Sequence, residues 1–116
     1  MPSKKSRKAA EEQEIVRLGE IYNNLPPREL ALAQGLIIQA ARLRVQLDEL
    51  TDDIAKHGLL ELFRQSDKVE PYTRERPAAQ LFAKLDKNYQ TIINQLNDMI
   101  SNVDTGHDDL ADFRNE

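Results

Sequence analysis

"PRELALAQGLIIQAARLRVQLDELTDDIAKHG", residues 27–58, contains the pattern that decides the fold. Pro27 suits the first position of a helix, where its missing N–H would have no partner, and Gly58 suits the residue just after a helix end. Between them, apolar residues recur in alternating steps of four and three, the spacing with which one long helix lies along another. These residues are Leu36, Ala40, Leu43, Leu47, Leu50 and Ile54. The pattern predicts a helix over 27–57 that needs a second long helix as its partner.

A second apolar face lies on the opposite side of this helix, in its first half, when residues are placed 100° apart. Its members are Leu30, Ile37, Ile38, Ala41 and Val45. We expect a preceding helix to cover part of this face and a neighbouring subunit to cover the rest, so these residues are the predicted oligomer interface. The alternative is a monomeric three-helix bundle.

Two further helices are predicted on either side of the long one. The segment 77–103 starts at Pro77 and has its own seam of fours and threes. That seam consists of Ala78, Phe82, Leu85, Tyr89, Ile92, Leu96, Met99 and Val103. A shorter helix over 9–24 precedes the proline pair at 26–27. The predicted fold is therefore all-α, with a short N-terminal helix and a long antiparallel helical hairpin that assembles into an oligomer.

The connection over 58–76 is longer than the 2 to 8 residues that usually join neighbouring helices. Alternating apolar residues in "LLELF" and "VEPY" would allow a short β-hairpin with Asp67 at its turn. "LLELFRQ" would equally fit one more turn of helix. Phe63 and Tyr72 are candidate partner contacts in this connection, and the alternative for Tyr72 is a loop anchor packed on the helices.

Composition and charge place the chain in a broad class. It has 116 residues, 40% of them apolar and 31% charged, with no cysteine and no apolar run long enough to span a membrane. These values predict one helical domain over 9–103 in a soluble cytoplasmic protein without membrane contact. Residues 1–8 carry four basic side chains, and 104–116 carry five acidic ones against one arginine. We interpret these ends as a flexible basic arm for phosphates and an acidic tail for a protein partner; the alternative is two solvated tails.

Enzyme chemistry finds little support in the sequence. The four glycines are isolated, so no glycine-rich phosphate loop is present. His57 and His107 stand alone, one beside the end of the long helix and the other in the acidic tail, so a histidine metal site is not indicated. The sequence therefore predicts a protein that is not an enzyme and that holds no metal or other cofactor.

Four segments together resemble the terminase small subunits of phages. They are "QGLIIQAARLRVQLDELTDDIAKHG", "LLELFRQ", "RERPAAQLFAKLDKNYQTIINQLNDMI" and "DDLADF", and they cover roughly residues 34–113. The resemblance implies a non-enzymatic viral DNA-packaging factor in the infected host cell. Such a factor forms a ring, recognises viral double-stranded DNA and presents it to a large terminase subunit with ATPase and nuclease activity.

Functional roles are predicted for two groups of residues. The candidate DNA-binding residues are Lys4, Lys5, Arg7 and Lys8 of the basic arm, with Arg74 and Arg76 of the connection. The candidate partner contacts are Phe63, Tyr72, Leu110 and Phe113. Many small terminases carry a helix-turn-helix before the oligomerisation core, and here only about 25 residues precede a helix too long for that role. The alternative function is a helical adaptor or regulator that acts by protein contact without binding DNA.

Overall fold

The computed structural model describes the backbone of residues 3–115 and the side chains of residues 3–103. Over this range, helix α1 lies on helix α2, and α2 runs antiparallel to helix α3. A two-stranded sheet joins α2 to α3. The elements are α1 (Lys4–Ile21), α2 (Pro27–His57), β1 (Leu60–Phe63), β2 (Tyr72–Glu75) and α3 (Pro77–Asn115). The mostly helical fold and the long helical hairpin are as predicted, and the small sheet is one of the two alternatives predicted for the connection.

Helix α2 has the bounds that its proline and glycine predict. It begins at Pro27 and ends at His57, and the N–H of Gly58 donates to the carbonyl of Ile54 at 2.7 Å. Gly58 has φ 82° and ψ 179°, which is extended backbone with a positive φ rather than the left-handed helical conformation. This region is essentially restricted to glycine, so Gly58 both ends the helix and turns the chain into β1.

Helix α1 begins five residues earlier than predicted. The hydroxyl of Ser3 accepts a hydrogen bond from the N–H of Ser6 at 3.1 Å, which is the N-terminal cap of the helix. Residues 4–8, which we predicted as part of a flexible arm, therefore form the first turns of α1. At the other end α1 stops at Ile21, three residues before the predicted end, because the chain must turn before the prolines.

The core lies where α1 crosses α2 and α3. Leu18 of α1 and Tyr22, just after its end, pack against Ile37 and Ala41 of α2, and Leu96 of α3 closes the cluster. The Tyr22 hydroxyl, at the edge of the core, donates to the side-chain carbonyl of Asn97 at 2.9 Å. Ala33, Ala40 and Ala41 of α2 are fully buried, because small side chains let the helices approach closely. This apolar cluster and the Tyr22–Asn97 hydrogen bond hold the C-terminal end of α1 on the helical hairpin.

This packing corrects the predicted oligomer interface. Ile37, Ala41 and Val45 are 1%, 0% and 7% exposed within a single chain, so they are not free to meet a second one. Helix α1 lies along the face that we assigned partly to a neighbouring subunit. Leu30 and Ile38 are half-buried on the margin of the same face.

The connection forms the β-hairpin, which excludes the alternative of a further helical turn. Strand β1 pairs antiparallel with β2, with Phe63 opposite Tyr72 and Glu61 opposite Arg74. The second strand starts at Tyr72, three residues after the start of the predicted "VEPY" segment. Pro71 precedes it, and proline has no N–H to donate to a strand ladder.

Helix α3 begins at Pro77 as predicted, and its backbone continues to Asn115, beyond the predicted end at 103. The acidic tail predicted over 104–116 thus follows on as helical backbone to that residue. The side chains of Leu110 and Phe113 lie outside the described residues. The chain measures 77 × 35 × 19 Å, the proportions of a rod.

Candidate nucleic-acid and partner surfaces

Three exposed lysines stand at the start of α1, and we call them the lysine cluster: Lys4, Lys5 and Lys8. Lys4 and Lys8 are one helical turn apart and share a face. The first turn of α1 has no acidic residue. Positive side chains at this end are unfavourable, because the unpaired N–H groups already give it a partial positive charge. The cluster is therefore a concentrated positive site whose electrostatic cost an anion would relieve.

Arg7, between these lysines in sequence, has a different role. Its guanidinium donates to both carboxylate oxygens of Glu49, at 2.7 and 3.1 Å. This hydrogen bond, together with the charge of the carboxylate, raises the pKa of Arg7 above its ordinary value. Arg7 thus ties the start of α1 to α2, and the structure separates it from the predicted group of free DNA-binding cations.

The two arginines predicted in the connection are also engaged within the chain. Arg74 donates to Glu61 across the hairpin at 2.8 Å, and its guanidinium carbon lies 3.5 Å from the centre of the Phe63 ring. Arg76 donates to Asp53 near the end of α2 at 2.8 Å and to the carbonyl of Gly58. Arg74 thus ties the two strands together and Arg76 ties the hairpin to α2, so both arginines are engaged within the chain, and their DNA contact stays a prediction.

The predicted partner contacts Phe63 and Tyr72 meet each other across the hairpin. Their ring centres are 5.8 Å apart with an interplanar angle of 78°, an edge-to-face contact. The alternation of strand side chains places Leu60 and Leu62 on the other face of the hairpin. Leu62 is 74% exposed, the highest value among the large apolar side chains of the described residues. Both leucines belong to the alternating apolar residues of "LLELF", from which the sequence predicts that the connection is ordered and contacts a partner.

A second surface that we did not predict lies between α2 and α3, away from the core contacts of α1. We call it the open face: an apolar floor flanked by uncharged polar side chains. The floor consists of Leu43, Leu50, Leu81, Leu85 and Ile92, and the flanks of Gln39, Gln46, Asn88 and Thr91. Two grooves of about 410 and 500 Å³ follow it along the helices. Gln39 and Gln46 are seven residues apart on α2, and Asn88 and Thr91 are three apart on α3; both spacings place the members of a pair on one side of their helix.

Charged groups border the open face without covering it. Arg42 stands beside one groove, and Arg7 with Glu49 beside the other, where Asp53 is also placed. The apolar floor is only half-buried, and Leu81 is 45% exposed. The two grooves thus combine an apolar floor with both charged and uncharged polar side chains.

No cluster of three or more metal-binding side chains occurs among the described residues. His57 has one carboxylate nearby, with its Nε2 atom 3.8 Å from Asp53. His107 lies beyond the described side chains. Within the described range, no helix combines the length and apolar character needed to cross a bilayer.

Comparison of the chain with protein families, curated proteins and solved structures found no match. The resemblance to terminase small subunits therefore stays a prediction.

Proposed function

We propose that this protein is a non-enzymatic, self-associating DNA-packaging factor of the terminase small subunit kind. In this proposal the lysine cluster binds the phosphates of double-stranded DNA. The oligomer then presents the DNA to a large terminase subunit, which supplies ATP hydrolysis and DNA cleavage. The observation that carries the proposal is the exposed lysine cluster at the positive end of α1.

The lysine cluster supports a phosphate ligand for two reasons. Lysines 4, 5 and 8 are exposed at a helix end that carries no acid in its first turn. Backbone N–H groups at a helix start, together with lysine side chains, favour phosphate oxygens. Contact with the DNA backbone alone carries no sequence information, so the cluster supplies affinity and position rather than recognition of a particular site.

The hairpin supports contact with a protein partner. Leu60 and Leu62 are 60% and 74% exposed on one face of a two-stranded sheet. A hairpin of two strands is marginally stable in water on its own; here Arg74 pairs with Glu61 across the strands, and Arg76 ties the hairpin to Asp53 of α2. An apolar surface held in a fixed position is suited to docking on a larger protein. We assign this surface to the large subunit, and the same observation favours the second candidate function, a helical adaptor that acts by protein contact alone.

DNA binding by the triple variant Lys4→Gln, Lys5→Gln, Lys8→Gln tests the proposal. Fluorescence anisotropy with a labelled duplex would give the association constant over a series of salt concentrations. Each phosphate contact contributes about 0.9 to the slope of log K against log salt. Loss of three contacts is thus expected to reduce the slope by about 2.7 per DNA-bound chain.

The matched control removes three other exposed charges, with Lys56→Gln, Arg64→Gln and Lys68→Gln. It should bind DNA like the wild type, because these residues lie at the end of α2 and in the hairpin turn. A larger loss from this control than from the α1 variant would move the DNA site to the hairpin. A wild-type protein that binds no duplex at low salt would reject the packaging function and leave the adaptor.

A further inference from the structure

The apolar seam of α3 continues in the sequence past residue 103. From Met99 and Val103 the same alternating steps of four and three lead to Gly106, Leu110 and Phe113. The backbone of α3 is helical beyond these positions, so they share one side of the helix. We call Leu110 and Phe113 the apolar pair. At 1.5 Å per residue, their positions lie about 10 and 15 Å beyond Val103 along the helix axis.

Helix α2 does not extend as far along α3 as the apolar pair. The two helices are antiparallel, and Gln39 lines one groove together with Ile92. Because both helices rise equally per residue, the same order of pairing brings Pro27, the first residue of α2, beside about residue 104. The turn between α1 and α2 ends at this level too, where its residues line a pocket with Val103. A seam that continues beyond its partner helix favours a partner from another molecule.

The segment 104–116 is acidic as well as apolar. Asp109 and Asp112 are three residues apart, as are the two members of the apolar pair, so each pair of positions occupies one face of the helix and the two faces adjoin. Acidic residues near the C-terminal end of a helix are unfavourable, because the unpaired carbonyl groups already give it a partial negative charge. A groove that is both apolar and basic would relieve this cost.

The open face provides such a groove, with basic side chains on both sides of its apolar floor. Arg42 of α2 lines the groove of about 410 Å³. Lys84 and Lys87 of α3 are exposed and stand one helical turn before Asn88 and Thr91, which line the same groove. Among the side chains of residues 3–103, none of these three cations makes an ion pair. Their positive charge is therefore available to an acidic partner.

The two acids of the open face do not offset this charge, because each is paired with an arginine of the same chain. Glu49 accepts hydrogen bonds from Arg7 at 2.7 and 3.1 Å. Asp53 accepts one from Arg76 at 2.8 Å. Both acids lie in the other groove, of about 500 Å³. The groove beside Arg42 thus keeps a basic border, opposite in charge to the segment 104–116.

We propose that the segment 104–115 of one copy docks on the open face of the next copy. The apolar pair then contacts the floor of the groove, and the neighbouring carboxylates lie beside Arg42, Lys84 and Lys87. The contact joins two different surfaces, so it repeats from copy to copy and generates a ring when the rotation closes. This inference rests on the self-association in the proposed function and is independent of DNA binding by the lysine cluster.

Charge reversal on each side of the contact tests whether these two surfaces meet. Asp109→Lys with Asp112→Lys places like charges together, and so does Lys84→Glu with Lys87→Glu. Each double variant should raise the dissociation constant between copies by roughly 10-fold or more. The fourfold variant that combines them restores opposite charges, so its dissociation constant should return toward that of the wild type.

The matched control separates a specific contact from an effect of net charge. It combines Asp109→Lys and Asp112→Lys with Lys56→Glu and Lys68→Glu, two exposed lysines at the end of α2 and in the hairpin turn. This control has the same net charge as the wild type and as the fourfold variant. It should stay as weakly associated as the double variant of the acidic segment, because its new acids lie away from the groove.

Removal of the apolar pair tests the floor of the groove. Leu110→Ser with Phe113→Ser changes positions outside the core cluster of the chain, so the fold should tolerate both. Loss of apolar anchors from the centre of a contact should raise the dissociation constant by roughly 30-fold or more. Leu60→Ser with Leu62→Ser on the hairpin is the matched control and should leave the dissociation constant unchanged.

Native mass spectrometry and sedimentation over a range of protein concentrations would measure the assembly. A wild-type ring that each charge-reversed double variant splits into helical monomers, and that the fourfold variant forms again, supports the inference. A fourfold variant that stays as dissociated as its net-charge control would overturn it, because the segment and the groove would not meet. An assembly that survives the loss of the apolar pair, or that only the hairpin control splits, would also overturn it.

Two further outcomes separate this inference from the proposed function. If Lys84→Glu with Lys87→Glu keeps the ring but weakens duplex binding, the groove is a DNA contact and the inference is wrong. A wild-type protein that is monomeric at every concentration would overturn both the inference and self-association. The salt titration of the lysine-cluster variant would still decide DNA binding in that case.

Discussion

Ile37 and Ile38 are neighbours on α2 with sharply different surroundings, and their alanine variants should separate core from surface. Ile37 is 1% exposed and packs in the cluster formed with α1, whereas Ile38 is half-buried at its margin. Both lie on the helix side that the sequence assigned to an oligomer interface. The structure instead places Ile37 in the core of each chain.

The magnitude follows from the number of buried carbon atoms removed. Ile37→Ala deletes three carbons from a closed site, which costs about 2.4 kcal/mol of transfer free energy at roughly 0.8 kcal/mol per group. The cavity left behind adds to this, so a loss of about 3–4 kcal/mol is expected. Ile38→Ala deletes the same atoms from a half-buried site that water can enter, and about 1 kcal/mol is expected. The free energy of unfolding of a small domain is about 5–15 kcal/mol, so the loss from Ile37→Ala is a large share of it.

Urea unfolding followed by far-ultraviolet circular dichroism would give both free energies of unfolding. The measurement should be repeated at two protein concentrations, since the stability of an oligomer depends on concentration. A core role predicts that the cost of Ile37→Ala is the same at both concentrations. Equal costs for the two variants, or a cost of Ile37→Ala that disappears on dilution, would refute the packing of α1 on this face.

Three further predictions concern the ends and the edges of the helices. Gly58→Ala should lower the free energy of unfolding by about 1–2 kcal/mol, because a φ of 82° disfavours a side chain. Gly19→Ala is the control: Gly19 lies in a helix with free space for a Cβ, so this substitution should raise the free energy of unfolding by about 0.5–1 kcal/mol. Thermal or urea unfolding would measure both changes. Burial raises the pKa of Tyr22 above its ordinary value of 10.0, so the unfolded chain loses this proton at a lower pH than the folded chain does. The free energy of unfolding of the wild type should therefore fall relative to that of Tyr22→Phe as the pH rises from about 10 through the folded-state pKa. A constant difference between the two free energies over this pH range would contradict the prediction. Arg76→Gln should cost about 1.5–3 kcal/mol, because it removes hydrogen bonds to Asp53 and to the end of α2; unchanged stability and unchanged proteolysis of the hairpin would contradict it.

Local signals in the sequence were sufficient for much of the helical architecture. Helix α2 begins at Pro27 and ends just before Gly58, as the sequence predicted. Both limits are local, because proline lacks an N–H and Gly58 has a positive φ. The heptad seams of 27–57 and 77–103 predicted an antiparallel pair, because side-chain spacing alone decides which face of a helix must be covered. The hairpin was predictable only as one of two alternatives, since four alternating residues are too few to exclude a helical turn.

Tertiary structure decided which surfaces are free. Arg7 and Glu49 are 42 positions apart, and no periodicity in the sequence relates them, so only the path of α1 shows that this arginine is bound while its lysine neighbours are exposed. Ile37 has the same apolar character whether α1 or a second chain covers it, because the hydrophobic effect is not directional and does not specify a partner. The open face exists because α1 covers one side of the α2–α3 pair, and that arrangement depends on packing between segments far apart in sequence.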